Sequence, residues 1–109
     1  MGRGKVFECE VTVSSGVKEK LLTKHHIETW EIEEVIYDDP SAFSLTHQDC
    51  YFIYGQTFSG RHLLVLVRIL SEQETGELGY ESNANVIKII TARDMNKKQR
   101  QNYNQRKGS

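Results

Sequence analysis

Apolar and polar residues alternate over the first part of the chain, and the spacing then becomes helical. Over residues 6–13 an apolar side chain recurs at every second position, which is the period of a strand with one buried face. Ser14-Ser15 offers a helix cap, and apolar residues follow it at helical spacing as far as Leu22. The pattern therefore predicts a strand and then a short helix that ends near Lys24-His25-His26.

A second helix is predicted after Thr29, the residue expected to cap it, because apolar residues recur at helical spacing from Ile32 to Ile36. Asp38-Asp39-Pro40 should end this helix. The other positions around it are acidic, with no base between them: Glu28, Glu31, Glu33, Glu34, Asp38 and Asp39. Two interpretations are open, a solvated helix face or a patch that docks a basic partner or a basic face of the same protein.

Three strands are predicted in the second half of the chain, at residues 50–54, 61–70 and 85–91. Residues 63–67 are apolar at every position, which suits a central strand covered on both faces. Residues 55–60 have the length and the glycines of a hairpin connection. We interpret the polar segment that precedes the last strand, residues 71–83, as an extended, mobile loop.

The last predicted element is a helix at residues 96–106, which has almost no apolar residue and would be held by few contacts. Since runs of strands are separated from helices, the order of elements predicts an α+β fold. We expect an antiparallel sheet of about four strands, two N-terminal helices and a C-terminal helix. At 109 residues the chain is expected to form one domain, residues 1–109.

The composition excludes disordered and membrane-spanning classes, because 38% of the residues are hydrophobic and no apolar run approaches the roughly 20 residues that span a bilayer. The first residues lack the apolar core of a signal peptide, so we expect a cytoplasmic protein with no membrane partner. Cys9 and Cys50 fit neither a metal-ligand spacing nor a disulfide framework and are predicted to be buried, reduced thiols. The final Gly108-Ser109 is compatible with an expression-vector remnant.

Positive charge is concentrated at the end of a chain whose formal net charge is -1. The tail, residues 94–107, follows Arg93, and the segment from Arg93 onward contains Asp94 as its one acid and these bases: Arg93, Lys97, Lys98, Arg100, Arg106 and Lys107. Such a local field favours a polyanionic partner. The alternative is a solvated or disordered basic end. Tyr103 argues against simple disorder, because an aromatic residue among bases can stack on nucleobases or anchor the helix.

No P-loop, dinucleotide glycine motif, zinc-ligand spacing or Gly-x-Ser-x-Gly elbow is present in the sequence. Adjacent His25 and His26 point about 100° apart on a helix, which disfavours a shared metal ion. Arg61 opens one predicted strand and Arg93 ends another, so the two converge if these strands are antiparallel neighbours in a suitable register. Arg68, near the far end of its strand, is a weaker candidate for a residue of the functional site.

Several motifs occur in collinear order over roughly residues 20 to 107. They are Lys24-His25-x-Ile27, Glu31-x-Glu33-Glu34-Val35 with Asp38-Asp39-Pro40, Gly55-Gln56-Thr57-x-x-Gly60-Arg61, and Ile90-Thr91-Ala92-Arg93-Asp94-Met95 with Tyr103. In this order the motifs resemble the BrnT-type ribonuclease toxins of bacterial type II toxin-antitoxin systems. The family usually has glycine at the position of His26.

The resemblance implies a RelE-like microbial ribonuclease fold and RNA cleavage without a metal or other cofactor. It also implies neutralisation by a small DNA-binding antitoxin, through which the protein would oligomerise. The implied catalytic residues are Lys24, His25, Arg61, Arg93 and Tyr103. The bases expected to bind the RNA backbone are Lys97, Lys98, Arg100 and Arg106.

In the expected mechanism, His25 acts as general base or acid at the ribose 2′-hydroxyl or the leaving 5′-oxygen, and the cations neutralise the phosphate. Two alternatives remain open. One is a non-catalytic protein- or nucleic-acid-binding module of the same fold, a decayed toxin or a regulator. The other is duplex DNA binding by the basic tail.

Overall fold

The computed structural model describes residues 5–81 and 83–108, which form one mixed sheet with helices against both of its faces. After a 3₁₀ turn (Lys5–Glu8), the strands are β1 (Glu10–Thr12), β2 (Phe43–His47), β3 (Cys50–Gln56), β4 (His62–Ile69) and β5 (Val86–Asp94). The helices are α1 (Ser15–His25), α2 (Thr29–Glu33) with a π-helical continuation (Glu34–Asp38), α3 (Glu72–Glu77) and α4 (Lys97–Lys107). The predicted α+β class is thus confirmed.

The sheet has five strands in the order β1-β5-β4-β3-β2, and β1 runs parallel to β5 while every other pair is antiparallel. The prediction of about four antiparallel strands was therefore wrong in the number of strands and in the direction of the β1–β5 pair. Residues 6–8 of the strand predicted at residues 6–13 belong to a 3₁₀ turn, and β1 keeps only three residues. The additional strand, β2, lies at an edge and exposes Leu45, Thr46 and His47, which is why no buried apolar run marks it.

Helix α1 begins and ends where its sequence predicts. The Ser14 hydroxyl accepts a hydrogen bond from the Val17 N–H at 3.2 Å, the interaction that favours serine at an N-cap. At the other end His26 has φ 54° and ψ 39°, the left-handed conformation that usually favours glycine. The Ile27 N–H then bonds to the Leu21 carbonyl at 3.1 Å, and both of these side chains are buried.

The prediction that Thr29 caps the second helix was wrong, because Thr29 is already its first residue and Glu28 is the cap. The Glu31 carboxylate accepts a hydrogen bond from the Glu28 N–H at 3.0 Å. The loop predicted at residues 71–83 was also wrong, since α3 occupies part of it. Ser71 and Glu74 exchange side-chain-to-backbone hydrogen bonds of 3.2 and 3.0 Å, which is the capping box of an S-x-x-E sequence.

Two hydrophobic clusters lie on opposite faces of the sheet. The larger one joins α1 and α2 to the alternate residues Leu63, Val65 and Val67 of the central strand β4. The smaller one lies under α4 and contains Leu64, Met95 and Tyr103. The central strand is therefore covered on both faces near Leu64, as predicted for residues 63–67.

Cys9 and Cys50 are not joined by a disulfide. Cys9 is buried as predicted, whereas Cys50 is half-buried, so the prediction of burial was only partly right. Within residues 5–81 and 83–108, none of the helices combines the length and the apolar character needed to cross a membrane.

Candidate active site

A small cavity of about 120 Å³ opens beside the carboxyl end of β5, on the sheet face that carries α4. Its charged or titratable side chains are His25, from the last turn of α1, and Arg93, from β5. The rest of its lining is Phe52, Leu64, Leu66, Thr91 and Ala92. Two residues that the sequence proposed as catalytic are thus brought together by the fold.

Arg93 reaches this cavity because β4 and β5 are antiparallel neighbours, with Leu64 opposite Arg93. The condition for Arg61 and Arg93 to lie at the same end of the sheet is therefore fulfilled. Arg93 is exposed, and its Nη1 donates to the Asp94 carbonyl at 3.0 Å and to Gln99 Oε1 at 3.3 Å. No acidic side chain pairs with Arg93 in the part of the chain that the structure describes, so its charge is available to a ligand.

Arg61, in contrast, is fully occupied by the protein. Its Nε and Nη2 donate to the two Asp94 carboxylate oxygens at 2.7 and 3.0 Å, a bidentate pair. Its Nη1 donates to Glu31 at 3.2 Å and to the His26 carbonyl at 2.7 Å, and Nη2 donates to the His25 carbonyl at 2.9 Å. These bonds use the five N–H groups of a guanidinium, so no donor is left for a phosphate.

The position of Arg61 makes it a clamp between α1, α2 and β5. It binds the last carbonyls of α1, which is where a cation stabilises a helix end, and those carbonyls belong to His25 and to the left-handed His26. The hydrogen bond from Arg61, together with the charge of Arg61, holds the pKa of Asp94 below its ordinary value. Arg61 therefore fixes the backbone from which His25 projects.

Lys24 and His25 are neighbours in sequence but differ in placement. His25 is half-buried and lines the cavity, whereas Lys24 is exposed and is not among the lining residues. Since successive helical residues point about 100° apart, the helix directs only one of the two into the cavity. Lys24 can contribute to the field around the site, but the described structure shows no direct contact with the cavity.

Tyr103 is buried and does not line the cavity. Its hydroxyl donates to Asp39 Oδ2 at 2.6 Å, and its ring packs edge-on against His62 with centroids 5.4 Å apart. Burial, the hydrogen bond to Asp39 and the charge of Asp39 together raise the pKa of Tyr103. Tyr103 anchors α4, so the prediction that this helix is held by few contacts was wrong.

The basic residues of α4 do not form one surface. Lys97 and Lys98 lie about 120° and 140° from Tyr103 around the helix axis and are exposed. Arg100 donates to the Met95 carbonyl at 2.8 Å, and Arg106 lies 4.0 Å over the Phe43 ring. Of these four residues, only Arg106 has a described contact with a side chain of the sheet face on which Arg93 lies.

The acidic residues around α2 divide into two groups. Glu31 and Asp39 are buried and accept hydrogen bonds, so the interpretation of a solvated face was wrong for them. Of the others, Glu28, Glu33 and Asp38 are exposed and Glu34 is half-buried. Sequence reasoning missed that Glu31, Asp39 and Asp94 pair with proposed site residues, because each partner is distant in sequence.

Within the described ranges, no group of three or more His, Cys, Asp or Glu side chains is placed to hold a metal ion. No protein-family model matches the sequence, and a search of curated proteins gave no match. The residues that line the cavity are therefore the basis for assigning its chemistry.

Proposed function

We propose that this protein is a metal-independent endoribonuclease with a RelE-like fold, a toxin similar to the BrnT type. The observation that carries the proposal is that His25 and Arg93, distant in sequence, line one cavity. An imidazole beside an uncompensated guanidinium offers a proton acceptor and a phosphate ligand at the same place. The collinear motifs that contain both residues support the family assignment.

In the proposed reaction, the neutral His25 imidazole takes the proton of a ribose 2′-hydroxyl. The 2′-oxygen attacks the adjacent phosphorus, the bond from phosphorus to the 5′-oxygen breaks, and a 2′,3′-cyclic phosphate forms. The leaving 5′-oxygen takes a proton from water or from the imidazolium. Arg93 neutralises the charge that grows on the phosphate oxygens, a contribution whose loss typically lowers a rate about 10²- to 10³-fold.

The other proposed residues take supporting roles. Arg61 is a positioning residue that holds the α1 terminus, and Tyr103 anchors α4. Lys24 and the exposed lysines of α4 attract the RNA backbone without choosing a sequence. A small DNA-binding antitoxin would neutralise the enzyme and assemble it into an oligomer, and the cytoplasm would be its site of action.

The test is cleavage of a ribosome-free RNA in EDTA by the wild type and by the variants His25→Ala and Arg93→Ala. We expect a loss of at least about 10²-fold in each variant and a 2′,3′-cyclic phosphate product. His26→Asn is the matched control, because asparagine tolerates the left-handed conformation and leaves His25 in place. Full activity in both His25→Ala and Arg93→Ala, or cleavage at a deoxyribose, would overturn the proposal.

One observation favours a second candidate, a non-catalytic binding module of the same fold. Two of the five proposed catalytic residues, Arg61 and Tyr103, have their polar groups occupied inside the protein. A binding module predicts salt-dependent association with RNA and no cleavage product from the wild type. Co-expression with a neighbouring antitoxin gene provides an independent test, since rescue of growth inhibition requires a toxic activity.

A further inference from the structure

The sheet face that carries α4 presents three parallel rows of side chains, each crossing from β5 to β2. The register places the rows directly, because residues opposite one another in antiparallel strands share a face. The upper row, which α4 covers, is Arg93, Leu64, Tyr54 and Phe43. The middle row is Thr91, Leu66, Phe52 and Leu45, and the lower row is Lys88, Arg68, Cys50 and His47.

The middle row is apolar apart from Thr91, and it is not fully covered by the described protein. Leu45 is 46% exposed, Thr91 is exposed, and Leu66 and Phe52 are half-buried. Across four strands the row spans roughly 14 Å, from the usual spacing of neighbouring strands. Its β5 end forms part of the cavity of His25 and Arg93, because Thr91, Leu66 and Phe52 line that cavity.

Cations flank the middle row on both sides. Arg93 lies above it, and Arg106 lies over Phe43 at the other end of the upper row. Lys88 and Arg68 lie below it, and the lower row ends at the His47 imidazole. The Glu74 carboxylate accepts from both Nη atoms of Arg68, at 3.0 and 2.8 Å, so Lys88 is the cation below the row that no described carboxylate pairs with. None of the positions in the three rows is acidic, although the chain contains 15 acids.

We infer that this groove, the middle row and its flanking cations, binds a single-stranded segment of the RNA, with bases on the apolar row and phosphates along its basic edges. The inference rests on the proposed function in taking RNA as the ligand, and it adds the strandedness of the substrate. A half-open sheet with an aromatic residue on its face can stack unpaired bases, whereas a duplex presents mainly its backbone and minor groove. The phosphate at the β5 end would then lie beside His25.

The experiment measures fluorescence anisotropy of a labelled RNA octamer with the full chain carrying His25→Ala, which prevents cleavage during the measurement. The same octamer is used as a single strand, as a duplex and as an abasic chain that keeps its phosphates. We expect the single strand to bind at least about 10-fold more tightly than either of the others.

Two variants in the same background test the row itself. Phe52→Ala should weaken single-strand binding about 5- to 100-fold, and Leu45→Ser should weaken it less. Leu78→Ser is the matched control, because Leu78, the C-cap of α3, is exposed to a similar degree and belongs to none of the three rows. Circular dichroism confirms folding, and Leu45→Ser keeps the test valid if Phe52→Ala fails to fold.

Equal affinity for the single strand and the duplex, or for the intact and abasic chains, would overturn the inference. Its failure is distinguishable from that of the proposed function. Cleavage that requires His25, without any preference for single strands, would support the proposed nuclease activity and contradict base binding by the middle row. Base-dependent binding that Phe52→Ala abolishes, without cleavage by the wild type, would support base binding by the middle row and contradict the proposed nuclease activity.

Discussion

Replacing Arg61 with alanine is expected to lower the free energy of unfolding by about 3 kcal/mol. Arg61 contacts the end of α1, the first turn of α2 and the end of β5. The substitution therefore disconnects three segments that are distant in sequence. If Arg61 instead served mainly as an exposed phosphate ligand, its removal would change activity and leave stability almost untouched.

The largest part of this loss comes from Glu31, whose carboxylate is only 9% exposed and would be left without its cation. Breaking a buried ion pair in this way costs about 3–5 kcal/mol. We reduce this to about 2 kcal/mol, because the Arg61 side chain is 24% exposed and Glu31 keeps its bond from the Glu28 N–H. Asp94, at 58% exposure, and the two helix carbonyls add about 1 kcal/mol together.

Urea unfolding followed by circular dichroism measures the loss, and the corresponding fall in melting temperature is about 10–20 °C. Asp94→Asn is the control for the exposed half of the clamp and should cost about 0.5 kcal/mol. In the Arg61→Ala background, Glu31→Gln should recover part of the loss, because no unpaired charge then remains buried. A loss below about 1 kcal/mol for Arg61→Ala, or no recovery from Glu31→Gln, would refute the reasoning.

Three further predictions concern packing, the helix end and pH. Gly55→Ala should destabilise the fold by about 1–3 kcal/mol, since its Cβ would lie 2.5 Å from Val35 Cγ1; adding Val35→Ala should reduce the loss measured in urea. His26→Gly should stabilise α1 by about 1 kcal/mol by relieving the left-handed φ of 54°, and an unchanged melting temperature would contradict this. The pKa of Tyr103 is raised above its ordinary 10.0 in the folded protein. The stabilisation that the protonated Tyr103 hydroxyl gives the fold is therefore intact below pH 10, and it is lost as the pH rises toward the pKa of the folded state. Wild type should then lose stability above pH 10 more steeply than Tyr103→Phe in urea unfolding at each pH.

The elements that the sequence predicts well are those with local determinants. Helix α1 has its Ser14 cap and an apolar face, and the hairpin at residues 55–60 has Gly60 at a φ of 97°. Helix α3 also had a local determinant, the capping box of Ser71 and Glu74, which the acidic and glycine-rich composition of residues 71–83 concealed. In contrast, the parallel pairing of β1 with β5 joins the two ends of the chain, and no local pattern indicates it.

The candidate site shows the same division. The convergence of Arg61 and Arg93 at one end of the sheet followed from a topological condition that the sequence could state but not decide. The sequence could not predict whether a proposed site residue has its polar group available to a ligand, because the partner inside the protein is distant in sequence. Arg61 pairs with Asp94, and Tyr103 pairs with Asp39. Each of these pairs forms only when the sheet is assembled, so residue type and spacing carry no information about it.

Pairing, more than the amount of positive charge, decides which cations can act on a phosphate. Arg61 and Arg93 lie at the same end of the sheet, but the two carboxylates around Arg61 neutralise it and direct its donors inward. The Arg93 guanidinium hydrogen-bonds to a carbonyl and an amide oxygen and pairs with no carboxylate among the described residues, so its charge stays uncompensated in the cavity that His25 also lines. The carboxylates therefore have a functional consequence: they hold the backbone of His25 in place through Arg61 and leave Arg93 as the cation that faces the cavity.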